Sequence, residues 1–161
     1  MSSNGGFFVH PLACCETDEI GSGTRIWAFS HVLAGAHIGH DCNLCDHTYV
    51  EGGARIGDRV TVKNGVALWD GVTIEDEVFL GPFCVFTNDL KPRSGRKRDN
   101  WLVSTLVKRG ATIGANATVV CGVTLGQHCF IAAGAVIVRD VPPHALVAGV
   151  PGRLTGWVCA C

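Results

Sequence analysis

The sequence lacks long apolar stretches, an excess of either charge and a leader pattern. No segment approaches the roughly 18 consecutive apolar residues of a membrane-spanning helix, so a transmembrane protein is not predicted. The formal net charge over 161 residues is −1, which argues against nucleic acid as a partner because phosphate backbones select basic surfaces. The N-terminus has no basic segment followed by a long apolar one. We therefore predict no secretory signal and expect a cytoplasmic protein.

What the sequence does contain is a six-residue period. Apolar residues recur six apart at Ile20, Ile26, Val32, Ile38, Leu44, Val50, Ile56, Val62, Leu68, Ile74, Leu80 and Phe86. Four residues after each, up to Leu80, stands a small or β-branched residue: Thr24, Ser30, Ala36, Cys42, Thr48, Ala54, Val60, Val66, Val72, Val78 and Cys84. A period of six fits neither a helix nor an ordinary strand. Both sets are expected to face one narrow, continuous core.

The period breaks once and then resumes. It returns at Val107, Ile113, Val119, Leu125, Ile131 and Ile137. Phe86 and Val107 are 21 residues apart, so the phase slips by half a repeat. We therefore predict a single domain in which a segment at 88–106 loops out of the regular stack and returns to it.

Hexapeptide repeats of this kind build a parallel β-helix, in which strands stack at about 4.8 Å per layer. The pattern resembles the hexapeptide acyltransferase family, in which three hexads form one triangular coil of 18 residues. That resemblance implies an all-β fold, a left-handed parallel β-helix with one protruding loop. The predicted boundaries are a capping segment at 1–19, the β-helix at 20–156 with its excursion at 88–106, and a tail at 157–161. Whether the tail is truncated is left open.

The nine cysteines do not predict a metal site. Cys42 and Cys45 have Cys-x-x-Cys spacing without a second pair, and Cys159 and Cys161 alone cannot supply four zinc ligands. A natural chain that continues past Cys161 and completes a zinc module is the alternative. Three cysteines fall on inward positions of the period and are expected to be buried free thiols: Cys42, Cys84 and Cys129.

Polar residues mark the place where the repeat breaks. Asn88 follows Asp70 by 18 residues, one full coil, so the two should stack, with Asp89 alongside. Three polar side chains would then converge at the mouth of a loop on a rigid scaffold, which is a common layout for a site. The alternative is that these residues only form turns that cap a broken coil.

The surrounding sequence resembles the N-acetyltransferases that modify the 3-amino group of nucleotide-linked sugars. The resemblance lies in residues 23–27, 42–45, 68–71, 81–89 and 92–94. In that group the asparagine matching Asn88 takes the place of a histidine base, which implies a catalytic Asn88. A neutral amine is already a good nucleophile for a thioester, whereas a hydroxyl needs a base. Asn88 would hold the amine or the developing oxyanion by hydrogen bonds.

The same resemblance implies the substrates. Acetyl-CoA is the expected co-substrate, and the acceptor is a dTDP-linked 3-amino-3,6-dideoxyhexose or a UDP-linked 3-amino-uronate. Asp70 and Asp89 are expected to bind the sugar, and the Asp89 carboxylate would repel a uronate, which favours the dTDP-linked sugar. Arg93, in the basic loop at 91–98, is a candidate for the diphosphate, although such a loop can also be a solvated surface. Lipopolysaccharide, capsule or S-layer glycan synthesis would fit.

Acetyl-CoA is expected along the later coils. Ala115 and Ala133 are 18 residues apart and would leave room for the pantetheine arm, unless their small size reflects only tight corners. Residues 148–153 resemble the terminal segment of the family near the adenine and phosphate end. Arg153 is therefore a candidate phosphate ligand, and Arg139 is a second one. The family also implies a homotrimer with each site between two subunits.

Histidine leaves two other functions open. His40 precedes Asp41, and this pair resembles the histidine base and carboxylate of sugar O-acetyltransferases. Together with His31, His37 and His47, it also suggests the β-helical carbonic anhydrases, but the spacing does not reproduce the ligand pattern of that family. His31 and His37 occupy the same position of successive hexads, so they should lie on different faces. No metal ligand is predicted.

Overall fold

The regular secondary structure consists of short β-strands. The computed structural model describes residues 6–95 and 99–159. Most strands in this part are two residues long because the chain turns a corner after each one. In chain order they are β1 (Phe8–Val9), β2 (Cys14–Cys15), β3 (Arg25–Ile26), β4 (His31–Val32), β5 (His37–Ile38), β6 (Asn43–Leu44), β7 (Tyr49–Val50), β8 (Arg55–Ile56), β9 (Thr61–Val62), β10 (Ala67–Leu68), β11 (Val72–Ile74), β12 (Phe79–Leu80), β13 (Val85–Phe86), β14 (Thr105–Val107), β15 (Thr112–Ile113), β16 (Thr118–Val119), β17 (Thr124–Leu125), β18 (Phe130–Ile131), β19 (Val136–Ile137), β20 (Ala145–Ala148) and β21 (Arg153–Trp157).

The strands form three sheets, one for each side of a triangular coil. The first face has the order β1-β3-β6-β9-β12-β15-β18-β20-β21, the second β2-β4-β7-β10-β13-β16-β19 and the third β5-β8-β11-β14-β17. Neighbours are parallel, except that β21 runs antiparallel to β20. Asn43 of β6 pairs with Thr61 of β9, 18 positions later. The predicted all-β parallel β-helix with an 18-residue coil is confirmed.

Three edges connect the faces. The 1–2 edge joins the first face to the second, as at residues 45–48, and the 2–3 edge joins the second to the third, as at 69–71. The 3–1 edge, as at 57–60, returns the chain to the first face. This last edge contains a column of residues with positive φ: Gly23, Asp41, Arg59, Glu77, Gly110, His128 and His144. Only glycine adopts that conformation without a steric cost, so stacking contacts must stabilise the others.

Both inward sets of the six-residue period lie in one core. The apolar set from Ile26 to Phe86 is at most 1% exposed, and the set from Val107 to Ile137 at most 2%. Burial of each such side chain stabilises the fold by about 1.5–3 kcal/mol. The inward hydroxyls of the six-residue period are hydrogen bonded to adjacent coils, as where Thr24 Oγ1 donates to the Gly39 carbonyl at 2.7 Å. Thr105 Oγ1, just after the excursion, is buried without a hydrogen-bond partner among the described residues. The predicted continuous core is confirmed.

The excursion leaves the stack between β13 and β14. Val72 pairs with Thr105, 33 positions later, whereas a regular coil needs 18. The Val103 N–H donates to the Asn88 carbonyl at 2.9 Å and closes the base of the loop. The stack then continues with Val107 paired to Ile74. Three basic residues of the predicted loop, Arg96, Lys97 and Arg98, lie outside the described residues.

The two ends of the chain add strands to the stack. In the predicted capping segment, β1 pairs with β3 and β2 pairs with β4, so this segment forms two sides of a coil. At the other end β21 folds back along β20. Cys161 lies outside the described residues. In the described part of the chain, no helix has the length and apolar character needed to cross a membrane.

The cysteines predicted to be inward are buried and free. Cys42, Cys84 and Cys129 are at most 1% exposed and form no disulfide. Burial raises the pKa of the Cys84 and Cys129 thiols to about 12, since an apolar core disfavours the thiolate. These thiols are therefore inert core residues, as predicted.

Candidate active site

Asn88 lies at the 2–3 edge, at the point where the chain leaves the stack. Its side chain is half-buried, and Nδ2 donates to the Asp70 carbonyl oxygen over 3.5 Å. Its own carbonyl accepts the hydrogen bond from Val103 that closes the loop. That backbone hydrogen bond fixes the main chain of Asn88. The side-chain amide makes only a long, weak hydrogen bond, which a ligand could replace.

Asp70 lies one coil below Asn88, as the 18-residue spacing predicts. Its N–H donates to Glu51 Oε2 at 2.7 Å, and its carboxylate lies over Gly53, where an added Cβ would collide with it. The carboxylate is thus turned toward the preceding coil, and Asn88 meets the Asp70 backbone. The sequence predicted that the side chains of Asp70, Asn88 and Asp89 converge. For Asp70 this is corrected: its carboxylate occupies the space that glycine leaves at position 53 and does not meet the Asn88 side chain.

Asp89 and Arg93 contact their own loop. Asp89 Oδ1 accepts a hydrogen bond from the Lys91 N–H at 2.7 Å, a turn within the loop. Arg93 is exposed, and its Nη1 donates to the Pro92 carbonyl at 2.8 Å. Both residues lie on the segment that begins at Asn88, so they are near the predicted site in sequence.

Trp69 and Glu51 form hydrogen bonds at this edge, next to Asp70 and Asn88. Neither residue was predicted from the sequence. Trp69 Nε1 donates to the Phe86 carbonyl at 2.8 Å, which links successive coils beneath Asn88. Its ring centroid lies 5.5 Å from that of Tyr49. The signal that could have identified Trp69 is its place next to Asp70 within the motif, since a large aromatic at a corner must find a partner for its N–H.

Cys121 is a third residue that sequence reasoning missed. β13 and β16 pair Val85 with Thr118, 33 positions apart, and the same offset carries Asn88 to Cys121. The Cys121 N–H donates to Thr87 Oγ1 at 3.0 Å, and the residue is 3% exposed. The interval of 18 fails across the loop, so only the observed register shows that Cys121 stacks above Asn88.

Arg139 follows Cys121 by one further coil on the same edge. It lines a pocket of about 450 Å³ together with Asp140, Gly152 and Arg153. Asp140 Oδ1 accepts a hydrogen bond from the Thr124 N–H at 2.7 Å, so this carboxylate stabilises the backbone of the adjacent coil. The structure brings the two predicted phosphate ligands, Arg139 and Arg153, to one pocket, whose remaining lining is mostly apolar.

Ala115 and Ala133 lie at the other side of the second face. Both are at the 1–2 edge, where the Gly134 N–H donates to the Ala115 carbonyl at 2.8 Å. Ala115 is half-buried and Ala133 is exposed. They stack as predicted, but they do not line the pocket that contains Arg139.

His40 is at the 3–1 edge, away from Asn88. Its Nδ1 lies 3.1 Å from Ser22 Oγ, and its N–H donates to Asp58 Oδ1 at 2.8 Å. The Asp41 carboxylate lies against Gly23 instead. The neighbouring acid therefore does not orient the imidazole, because the positive φ of Asp41 turns its side chain away.

The repeats match two family descriptions. Residues 104–139 match the bacterial transferase hexapeptide (six repeats), and residues 35–69 match the hexapeptide repeat of succinyl-transferase. A curated relative, the dTDP-3-amino-3,6-dideoxy-α-D-galactopyranose 3-N-acetyltransferase of Aneurinibacillus thermoaerophilus, is 51% identical over 160 residues. The match covers 99% of this chain and 83% of the relative.

Two solved structures share the fold. A hexapeptide-repeat acetyltransferase of Vibrio cholerae, solved with acetyl-coenzyme A, superposes with a TM-score of 0.67 at 28% identity, over 78% of this chain and 72% of its own. A variant of the Caulobacter crescentus perosamine N-acetyltransferase, solved with CoA and GDP-perosamine, gives a TM-score of 0.58 at 23% identity. It covers 94% of this chain and 54% of its own, and its likeness concerns the fold.

The coil, the excursion and these matches define a hexapeptide-repeat acyltransferase with a left-handed β-helix. The chain belongs to this family, and within it to the N-acetyltransferases of nucleotide-linked 3-amino sugars. The predicted fold, the predicted sugar N-acetyltransferase function and acetyl-CoA as co-substrate are confirmed.

Proposed function

We propose that this enzyme transfers the acetyl group of acetyl-CoA to the 3-amino group of a dTDP-linked 3-amino-3,6-dideoxyhexose. The 51% identity with the Aneurinibacillus enzyme over nearly the whole chain is the observation that carries the proposal. The position of Asn88 at the mouth of the excursion, one coil above Asp70, supports it.

The reaction needs no side-chain base in this proposal. The neutral amine attacks the thioester carbonyl, the new C–N bond forms, and the C–S bond of the tetrahedral intermediate breaks. The proton lost by the amine goes to the departing CoA sulfur. The Asn88 amide donates to the developing oxyanion or orients the amine, and exchange of its 3.5 Å contact with Asp70 costs little.

The nucleotide sugar is assigned to the loop side of Asn88. The Asp89 carboxylate, which already accepts the Lys91 N–H, places negative charge beside the sugar and disfavours a uronate. The backbone carbonyl of Asp70 accepts the hydrogen bond from Asn88, and its carboxylate lies over Gly53. To bind the sugar as proposed, the carboxylate must rotate away from Gly53. Arg93 is exposed and available to a diphosphate.

Acetyl-CoA is assigned to the later coils. The pocket with Arg139 and Arg153 would hold phosphate groups, and Arg139 shares the edge with Asn88. The proposed path for the pantetheine arm, along Ala115 and Ala133, starts at the opposite edge of the second face. The arm must then cross the second face to reach Asn88, past the outward side chains of Val85 and Thr118.

A homotrimer is part of the proposal. Phe79 and Phe130 point outward from the first face, and Phe83 and Val85 are exposed at the 1–2 edge and on the second face. Apolar side chains of this size on flat faces favour packing against a second copy. Light scattering should give three times the mass of the chain, and a fully active monomer would contradict a shared site.

The test is acetyl-CoA turnover, followed by thiol release, with a panel of acceptors. The panel contains dTDP-3-amino-3,6-dideoxyglucose, its galacto epimer and a UDP-linked 3-amino-uronate. We expect turnover with at least one dTDP sugar and at least a tenfold preference over the uronate. No turnover with any amino sugar would reject the proposal.

The role of Asp89 has its own variant. Asp89→Asn removes the charge and keeps the shape, so it should narrow the preference for the dTDP sugar over the uronate. An unchanged ratio of kcat/KM values would remove charge repulsion as the basis of selectivity, without affecting the proposed acetyl transfer.

A further inference from the structure

Three possible metal ligands meet at the N-terminal end of the second face. Cys14 belongs to β2, Glu16 follows that strand, and His31 belongs to β4. The Cys14 Sγ, a carboxylate oxygen of Glu16 and a ring nitrogen of His31 all lie within 4.8 Å of one another. We propose that these three side chains bind a zinc-like divalent cation, with water completing the coordination.

The distances between the ligand atoms fit such a cation after a small adjustment. His31 Nε2 is 2.7 Å from Glu16 Oε1, and Cys14 Sγ is 3.9 Å from the same oxygen. Zinc bonds of about 2.0–2.3 Å in a tetrahedron place the ligand atoms about 3.4–3.6 Å apart. The His31–Glu16 pair must therefore open by about 0.7 Å, and the thiol must approach the Glu16 oxygen by a few tenths. The thiol and the imidazole, which lie within 4.8 Å of each other, must close by up to about 1.2 Å.

Strand pairing fixes the backbone of all three ligands. Cys14 and His31 are direct partners in the register of β2 and β4. The Cys14 N–H donates to the Ser30 carbonyl and the Glu16 N–H to the Val32 carbonyl, both at 2.9 Å. The His31 ring also packs edge-on against Tyr49, with centroids 5.9 Å apart. Ligands on rigid elements lose little entropy on binding, which favours a preorganised site.

The chemistry of the three groups selects the kind of cation. A thiolate, an imidazole and a carboxylate together suit zinc or a similar borderline ion, whereas calcium and magnesium prefer oxygen alone. Cys14 and Glu16 are exposed and His31 is half-buried, so the cation and its water have access. The site would join the first strands of the chain to the coil above them.

A neighbouring pair provides the internal comparison. His37 Nδ1 lies 3.4 Å from Glu19 Oε2 on the third face, and both side chains are exposed. Over residues 6–95 and 99–159, the cluster with Cys14 is the one group of three such ligands. The His37–Glu19 pair therefore controls for a histidine and a carboxylate without a thiol.

The proposed site is separate from acetyl transfer. Along the second face, β2 is followed by β4, β7, β10 and β13, and Asn88 comes just after β13. Four strand spacings of about 4.8 Å put the two sites about 19 Å apart. Metal binding is therefore expected to change stability and leave the acetylation chemistry unaltered.

Cobalt(II) is the probe, because a thiolate ligand gives it an intense near-ultraviolet charge-transfer band and tetrahedral coordination gives strong visible bands. The reduced full-length protein is titrated with Co²⁺, and Zn²⁺ is then added in competition. We expect one equivalent to bind, with both sets of bands, and Zn²⁺ to displace it. Zn²⁺ should also raise the melting temperature, and a chelator should reverse the rise.

Variants assign the bands to the three residues. Cys14→Ser should abolish the charge-transfer band, and His31→Gln should weaken Co²⁺ binding at least tenfold. The control variants His37→Gln and Cys159→Ser should bind Co²⁺ with the affinity and the bands of the wild type. Bands that survive in Cys14→Ser, or no Co²⁺ binding by the wild type, would overturn the proposal. Melting without metal checks that each variant is folded.

Discussion

The 3–1 edge and the 2–3 edge show how the same repeat serves two purposes. At the 3–1 edge Glu77 accepts hydrogen bonds from both Arg59 and Arg109, at 2.9 and 2.8 Å, across successive coils. The carboxylates of Asp58 and Asp76 also accept backbone N–H groups, from His40 and Asp58. Polar side chains at this edge are occupied by one another and by the backbone.

At Asn88, on the 2–3 edge, the stack is interrupted and the side-chain contact is looser. The Asn88 side chain contacts Asp70 through one hydrogen bond of 3.5 Å, and the chain enters the loop directly after Asn88. The uninterrupted corner thus uses its polar groups for stability, whereas the interrupted one leaves the Asn88 amide with one weak contact. Changes at the two edges should therefore separate into effects on stability and effects on rate.

The largest expected effect is on rate, at the 2–3 edge. Asn88→Ala should lower kcat by about 100-fold or more, since it removes the proposed donor to the developing oxyanion, with little change in melting temperature. His40→Ala, at the 3–1 edge, should keep most of the activity. Steady-state kinetics of both variants with the preferred sugar measure this. Loss of activity only in His40→Ala would assign catalysis to a histidine base.

The next effect is on stability, at the 3–1 edge. A Cβ on Gly57 would lie 2.8 Å from the Asp76 nitrogen, in the backbone of the next coil. Gly57→Ala should therefore lower the free energy of unfolding by about 2–3 kcal/mol through overpacking. Gly95→Ala, with nothing within 4 Å of the added methyl group, is the matched control. Equal denaturant midpoints for Gly57→Ala and Gly95→Ala would show that adjacent coils can move apart without a loss of stability.

A smaller effect is predicted at the far end of the 2–3 edge. Arg139→Ala and Arg153→Ala should each raise the KM for acetyl-CoA about five- to tenfold, with kcat nearly unchanged, because each removes one positive charge from the pocket proposed to hold phosphate. Arg25→Ala, on the first face, serves as the control for loss of an exposed arginine. A fall in kcat with unchanged KM would place these arginines near the reacting atoms instead.

The smallest effect concerns the ion pairs of the 3–1 edge. Hydrogen bonds from Arg109 and then Arg59 lower the Glu77 pKa from 4.5 to about 2. Because the pKa is lower in the folded state, the stabilisation is present above about pH 4.5 and is lost as the pH falls toward 2. Glu77→Gln should lower the melting temperature slightly at pH 7, and the difference should shrink below pH 5 and in high salt. A difference that is constant with pH would argue against the ion pair.

The core was predictable and the side-chain directions at the edges were not. A period of six residues is a local property, so the inward positions of Ile26 or Leu125 follow from spacing alone. The direction of the Asp70 carboxylate depends on Gly53 in another coil. Cys121 stacks above Asn88 only because the loop adds 15 positions to the usual 18. Cys14 lies outside the period, so its meeting with His31 depends on the observed pairing of β2 and β4.

The hydrogen bond between the Val103 N–H and the Asn88 carbonyl has a consequence for how such a protein changes over time. It closes residues 89–102 into an insert whose two ends meet at adjacent backbone groups. Doubling the length of an insert of this kind costs only about 0.6 kcal/mol in closure entropy. The loop can therefore be lengthened while the 21 strands found in residues 6–95 and 99–159 keep their partners. The length of the insert is therefore largely independent of the stability of the stacked coils.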